Sequence, residues 1–176
     1  AITGYFNGSL YDAANLETVL GWAAMGEEGL DLAFQQLRHA DLLPDSWGLG
    51  DAAFLYAYHA EVAASRGLRL VAYEGGQHLV AGWNAELLDF FTALVEHPGM
   101  GELYDRNMEL FHEAGGTLFN HFSPFGGPSA YGHWGMLDTV YDDASARWDA
   151  TTAWNDANPA WWETRDPRAF ANGELV

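Results

Sequence analysis

Apolar residues along this chain follow two rhythms, short continuous runs and longer stretches in which they recur every third or fourth position. The run Ala1-Ile2-Thr3-Gly4-Tyr5-Phe6 is β-prone and closes on Asn7-Gly8-Ser9, which has turn chemistry, so a strand is expected at 1–6. Residues 15–40 carry helical spacing, with Leu16, Val19, Leu20 and Ala23 on one face, Leu30, Ala33, Phe34 and Leu37 on another, and a break at 26–29. After the loop Leu42-Leu43-Pro44-Asp45, residues 51–66 predict another helix, with Phe54, Leu55, Tyr58 and Val62 at core spacing and Gly67 as its C-terminal cap. A second strand is expected at 68–74, where an almost wholly apolar run delivers Glu74 to two glycines.

The second half repeats this grammar. Helices are expected at 83–95, closed by His97-Pro98-Gly99, and at 101–114, closed by Gly115-Gly116. A third strand is expected at 117–122, followed by a loop rich in Gly, Pro and Ser over 123–132 and a last helix around 143–154. One domain over 1–157 and a weakly periodic tail over 158–176 account for the chain. Strands alternating with helices define an α/β fold with a parallel sheet and right-handed crossovers. Three parallel strands leave two unpaired edges, which predicts self-association or pairing with another piece of chain.

Composition removes several function classes. The 176 residues are 49% apolar and 15% aromatic, enough for a core, and the formal charge is −18 with no lysine among the seven basic residues. Such a surface repels phosphate backbones and anionic lipid, so neither nucleic acid nor a membrane is an expected partner. Cysteine is absent, which excludes disulfides and thiolate chemistry. No apolar run approaches the roughly eighteen residues of a membrane span. The opening Ala1-Ile2-Thr3 is no signal sequence, so a targeting peptide is expected to be removed or to lie outside this piece.

Glu74 is the leading catalytic candidate, because the C-terminal ends of parallel strands are where α/β folds build their sites. The competing reading is a carboxylate that caps a turn or pairs with an arginine. Glycines at 75 and 76 are expected to let the backbone turn there and to admit a close neighbour.

Four runs in order carry a resemblance: Val71-Ala72-Tyr73-Glu74-Gly75-Gly76-Gln77-His78, Pro98-Gly99-Met100-Gly101-Glu102-Leu103-Tyr104, Gly115-Gly116-Thr117-Leu118-Phe119-Asn120-His121-Phe122, and Ser129-Ala130-Tyr131-Gly132-His133-Trp134-Gly135-Met136-Leu137. Over most of 1–155 they resemble the C-terminal part of secreted bacterial proteins labelled cellulose-binding or uncharacterised, which are similar to clan A glycoside hydrolases. The resemblance implies the last three βα units of a (β/α)8 barrel and an extracellular, bacterial location. A whole barrel needs about 200 residues at the least and typically about 250. In that clan the sixth strand ends near a tyrosine, the seventh in the nucleophilic glutamate, and the eighth is followed by an aromatic residue. Tyr5, Glu74 and Trp134 match those places.

The clan's acid/base carboxylate, held about 5–5.5 Å from the nucleophile in retaining enzymes, sits in an Asn-Glu pair that this chain lacks. Asn84-Ala85-Glu86 imitates it, but at a helix start where capping explains it. The resemblance therefore implies a piece of a polysaccharide-acting retaining glycosidase with Glu74 as nucleophile and its partner outside the chain. The rival is a non-catalytic carbohydrate-binding module.

Histidines raise the question of a metal. His112-Glu113 opens like a zincin helix, yet position 116 is glycine rather than the second histidine. His78, His121 and His133 fall near strand ends; a three-histidine metal site is the lesser reading, and hydrogen bonding of His78 and His121 to sugar hydroxyls or to Glu74 the greater. No metal and no cofactor is expected. Tyr5, His78, His121, Tyr131 and Trp134 are the expected substrate-binding residues, with Tyr73 and Trp83 as further rings able to stack on sugar faces. Trp148, Trp154, Trp161 and Trp162 are expected to pack the last helix and tail. Gly126-Gly127-Pro128 lacks the lysine of a phosphate loop, no Gly-x-Ser-x-Gly elbow occurs, and the sequon Asn7-Gly8-Ser9 reads as a turn.

Overall fold

The computed structural model describes residues 1–158. Its elements are β1 (Ile2–Phe6), α1 (Leu16–Ala23), α2 (Glu27–His39), α3 (Leu49–Ala64), β2 (Leu70–Gln77), α4 (Ala85–Glu96), α5 (Pro98–Glu113), β3 (Gly116–Phe119) and α6 (Ala146–Ala157). The expectations for the tail and for Trp161 and Trp162 lie outside the described residues.

The three strands form one sheet in the order β1-β2-β3, parallel throughout. A strand order without reversal places every connecting helix on one side when the crossovers share one hand. Packing agrees. Ala52 and Tyr56 from α3, Leu70 and Ala72 from β2 and Phe111 from α5 share one buried cluster, with the Tyr56 and Phe111 rings edge to face at 5.2 Å. A buried polar chain ties the same layer together: the Tyr56 hydroxyl donates to Asn107 Oδ1 at 2.8 Å, and Asn107 Nδ2 donates to the Gly4 carbonyl at 3.1 Å. A larger cluster joins Phe6 to α1, α2, α4 and α5 through Val19, Phe34, Leu37, Phe91, Leu94 and Leu103. By strand alternation the opposite sheet face carries Thr3, Tyr5, Val71 and Tyr73, and Thr3 and Tyr73 are exposed there.

Several expectations are corrected. Phe54, Leu55, Tyr58 and Val62 do not face the core; Phe54 is 71% and Tyr58 55% exposed. Leu49, Ala52 and Tyr56 are the buried residues of α3, with Tyr56 reaching both Phe111 and Asn107. Gly75 and Gly76 do not turn the chain but continue β2 to Gln77. Their missing side chains make room, since a Cβ on Gly75 would collide with the Phe119 ring and the Gly4 backbone, and one on Gly76 would press on the Tyr104 hydroxyl. β3 ends at Phe119, although the amides of Asn120 and Phe122 still donate to the Ala72 and Gly75 carbonyls. α6 starts at Ala146, capped by Ser145 Oγ, which accepts from the Trp148 amide at 3.0 Å. Asn84 caps α4 as expected, accepting from the Leu87 amide at 3.0 Å.

Candidate functional site

A bulge in the β1–β2 ladder sets the site. Ile2 pairs with Ala72 but Thr3 pairs with Glu74, so Tyr73 is an extra residue on β2. Glu74 thereby shares a face with Thr3 and, two residues on, with Tyr5, which brings Tyr5 and Glu74 into diagonal contact. Burial and the charge of the nearby Glu74 carboxylate together push the Tyr5 hydroxyl up to about 12. Tyr5 thus stays protonated, and a donor, far above neutrality. Glu74 itself is half-buried, and it forms no ion pair among the described residues.

Beyond Glu74 the strand delivers His78. Its amide donates to the Phe6 carbonyl at 2.8 Å, which extends the β1–β2 ladder by one residue. The His78 ring meets Tyr5 edge-on at 5.1 Å, Trp134 at 4.6 Å and Tyr11 at 5.6 Å. Desolvation lowers its basicity, and the nearby Glu74 charge works in the opposite sense. Its buried Nδ1 has no hydrogen-bond partner among the described residues. Trp134 closes the group, 6.0 Å from Tyr5 and 5.7 Å from Phe122.

The loop bearing Trp134 is pinned from behind. The carbonyl of His133 accepts from Gln77 Nε2 and from Arg147 Nη1, while Gln77 Oε1 accepts from the Leu79 amide at 2.7 Å. The His133 ring is buried against Leu79, Leu88 and Thr92, and desolvation lowers its basicity. In front, Trp134 Nε1 donates to the Tyr131 carbonyl at 2.9 Å. Gly132 is required there: its φ is +138°, and a Cβ would overlap the Trp134 indole.

The structure therefore brings Tyr5, Glu74, His78 and Trp134 together, with Tyr131 tied to Trp134 through its backbone. It does not bring His121 to them. His121 stacks on Tyr104 at 5.3 Å and packs tilted against Phe119 at 4.8 Å, and burial drops its pKa to about 4. It lines a cleft of about 640 Å³ between β3, α5 and α6, and neither ring nitrogen has a hydrogen-bond partner among the described residues. His78, His121 and His133 do not converge, and among the described residues no group of three histidine or acidic side chains is placed to hold a metal. Nor is any helix there long and apolar enough to cross a membrane.

Tyr11, Phe122 and Gln77 belong to this site although none of them is among the candidates chosen from the sequence. Phe122 and Tyr11 follow strands closely enough that position alone could have nominated them. Gln77 carries no such signal, since its role depends on a carbonyl 56 residues away.

Comparison with protein-family models, with curated proteins and with solved structures found no match for this chain.

Proposed function

We propose that this chain is the nucleophile-bearing part of a polysaccharide-acting retaining glycoside hydrolase, built as three βα units of a (β/α)8 barrel. The observation that carries the reading is the pairing of Tyr5 with Glu74 on the sheet face opposite the buried Tyr56–Ala72–Phe111 cluster, ringed by His78 and Trp134 at the strands' C-terminal ends. A carboxylate with no ion-pair partner among the described residues, a neutral phenol to orient it and aromatic walls suit attack on a sugar.

In this mechanism one Glu74 oxygen bonds to the anomeric carbon as the bond to the leaving oxygen breaks, and that oxygen takes a proton from an acid outside residues 1–176. Water then attacks the glycosyl-Glu74 ester, giving its proton to the same group and restoring the carboxylate. Tyr5 donates to the Glu74 oxygen that does not attack. His78, held neutral by burial, offers a hydrogen bond rather than a charge.

The barrel reading also accounts for surfaces that a free-standing sheet would leave wet. The open edge of β1 borders a cleft of about 240 Å³ lined by Thr3, Tyr5, Trp47 and Leu55, and the exposed face of α3 lies beside it. A flanking βα unit from the N-terminal part of the same protein would pair with that edge and cover Phe54, Leu55, Tyr58 and Val62.

An activated 2-deoxy-2-fluoro glycoside tests the reading in the full-length protein. Its glycosyl ester hydrolyses slowly, so mass spectrometry of the digested protein is expected to find the sugar on the peptide containing Glu74. Labelling of another carboxylate, with Glu74 unmodified and turnover intact, would overturn it.

A further inference from the structure

Arg147 is buried where an arginine is least expected. It is only 3% exposed, and it stands in the first turn of α6, where the positive end of the helix dipole repels a cation. Its Nε has no hydrogen-bond partner among the described residues, and a guanidinium cannot escape burial by losing its proton. Carboxylates are at hand, since Glu96, Asp138, Asp142 and Asp143 line the same cleft, yet Arg147 makes no ion pair among the described residues. Its bond goes instead to the carbonyl of His133, at 3.2 Å. A cation held deep in the protein by a neutral acceptor breaks the local rules of burial and pairing, and such breaks concentrate at functional sites.

That carbonyl belongs to the peptide that leads into Trp134. Gln77 Nε2 donates to the same oxygen, and Gln77 ends β2, the strand that carries Glu74. One donor thus comes from the strand of the candidate nucleophile and the other from α6, and together they fix the plane of the His133–Trp134 peptide. Ser145, just ahead of α6, adds a second hold, because its hydroxyl donates to the Met136 carbonyl at 2.6 Å. The start of α6 therefore grips the loop on both sides of Trp134. We propose that Arg147 is a positioning residue for the candidate site, fixing Trp134 as the wall that packs on His78 at 4.6 Å and on Tyr5 at 6.0 Å. Its effect on turnover rests on the hydrolase reading above; its effect on Trp134 does not. The fold itself has other supports here. Without Arg147 the His133 carbonyl keeps its Gln77 donor, and the buried His133 ring keeps its contacts with Leu79, Leu88 and Thr92. No acceptor is orphaned, and an apolar side chain of similar length can replace a buried cation with little loss of stability.

Fluorine NMR of the full-length protein carrying 5-fluorotryptophan, with the Trp134 line assigned from Trp134→Phe, tests this. The unaltered protein is expected to give one sharp Trp134 line, and Arg147→Met a broadened or split one at an unchanged melting temperature. Arg147→Lys is expected to restore the line, because one N–H is all that the carbonyl takes from Arg147. In turnover of a β-linked polysaccharide, Arg147→Met is expected to lower kcat about tenfold, with Arg147→Lys recovering most of the loss. A Trp134 line that is the same in the Met variant overturns the positioning role and leaves the hydrolase reading standing. A melting temperature that falls and recovers in step with that line across the two variants overturns it too, making Arg147 a tie of the fold. A line that responds as expected in a protein that hydrolyses no such polymer keeps the positioning role and removes the hydrolase.

Discussion

The Tyr5 hydroxyl meets the Glu74 carboxylate across the β1–β2 ladder, and the one-residue bulge at Tyr73 is what puts them on the same sheet face. Without the bulge Tyr73 would oppose Thr3, and Glu74 would turn toward the helices, where a charge has no partner. A hydrogen bond to a charged group contributes about 1.5–3 kcal/mol. Under the proposed hydrolase function, Tyr5→Phe is therefore expected to lower turnover by about 10- to 100-fold with little change in melting temperature, measured on the full-length protein. A Phe variant as active as the unaltered protein would remove Tyr5 from the site.

His121 makes the fold acid-sensitive. Its folded pKa of about 4 lies below the ordinary 6.5 because burial penalises the imidazolium. The unfolded chain therefore takes up a proton that the folded chain refuses. Stability from this residue is present in full above pH 6.5, declines as the pH falls from there, and is gone below about 4, a loss on the order of 3 kcal/mol. His78 and His133 are lowered in the same direction and add to the decline. Chemical denaturation at pH 7.0 and 4.5 is expected to show a smaller acid loss for His121→Gln than for the unaltered protein; equal losses would contradict the burial of this ring.

The exposed face of α3 tests the barrel. If a flanking βα unit covers Phe54 in the full-length protein, Phe54→Ala removes a buried ring and is expected to cost about 3 kcal/mol. If α3 faces water in the native protein, the same change falls within about 0.5 kcal/mol. The second result would show that the sheet edge at β1 is not completed by a barrel.

The parallel sheet was legible because its three strands are short apolar runs bounded by glycine and asparagine, and helix starts such as Asn84 carry their own caps. The buried face of α3 was not. Its hydrophobic residues occur on more than one side, and spacing alone favoured the larger Phe54, Tyr58 and Val62 over Ala52 and Tyr56. Tertiary partners decided the matter, namely Phe111 and Asn107 of α5. Gly75 and Gly76 looked like a turn for a related reason, since the Phe119 and Tyr104 side chains that fill the space above them come from distant segments. Tyr5, Glu74, His78 and Trp134 could be chosen from strand ends and from the resemblance, whereas His121, two residues past its strand, falls on the helix side against Tyr104.

Glu74→Gln in the full-length protein is the most direct measurement of the central claim. The change keeps size and most hydrogen bonding while removing the negative charge that, in the proposed mechanism, attacks the sugar. Turnover of a β-linked polysaccharide is expected to fall by several orders of magnitude, with melting temperature and oligosaccharide affinity nearly unchanged, and residues 1–176 alone, to which the proposed mechanism assigns no acid partner, are expected to hydrolyse nothing. Full activity in the Gln variant would contradict the assignment, as would a large drop in melting temperature without a specific loss of turnover, which would mark Glu74 as a residue of the fold and not of the chemistry.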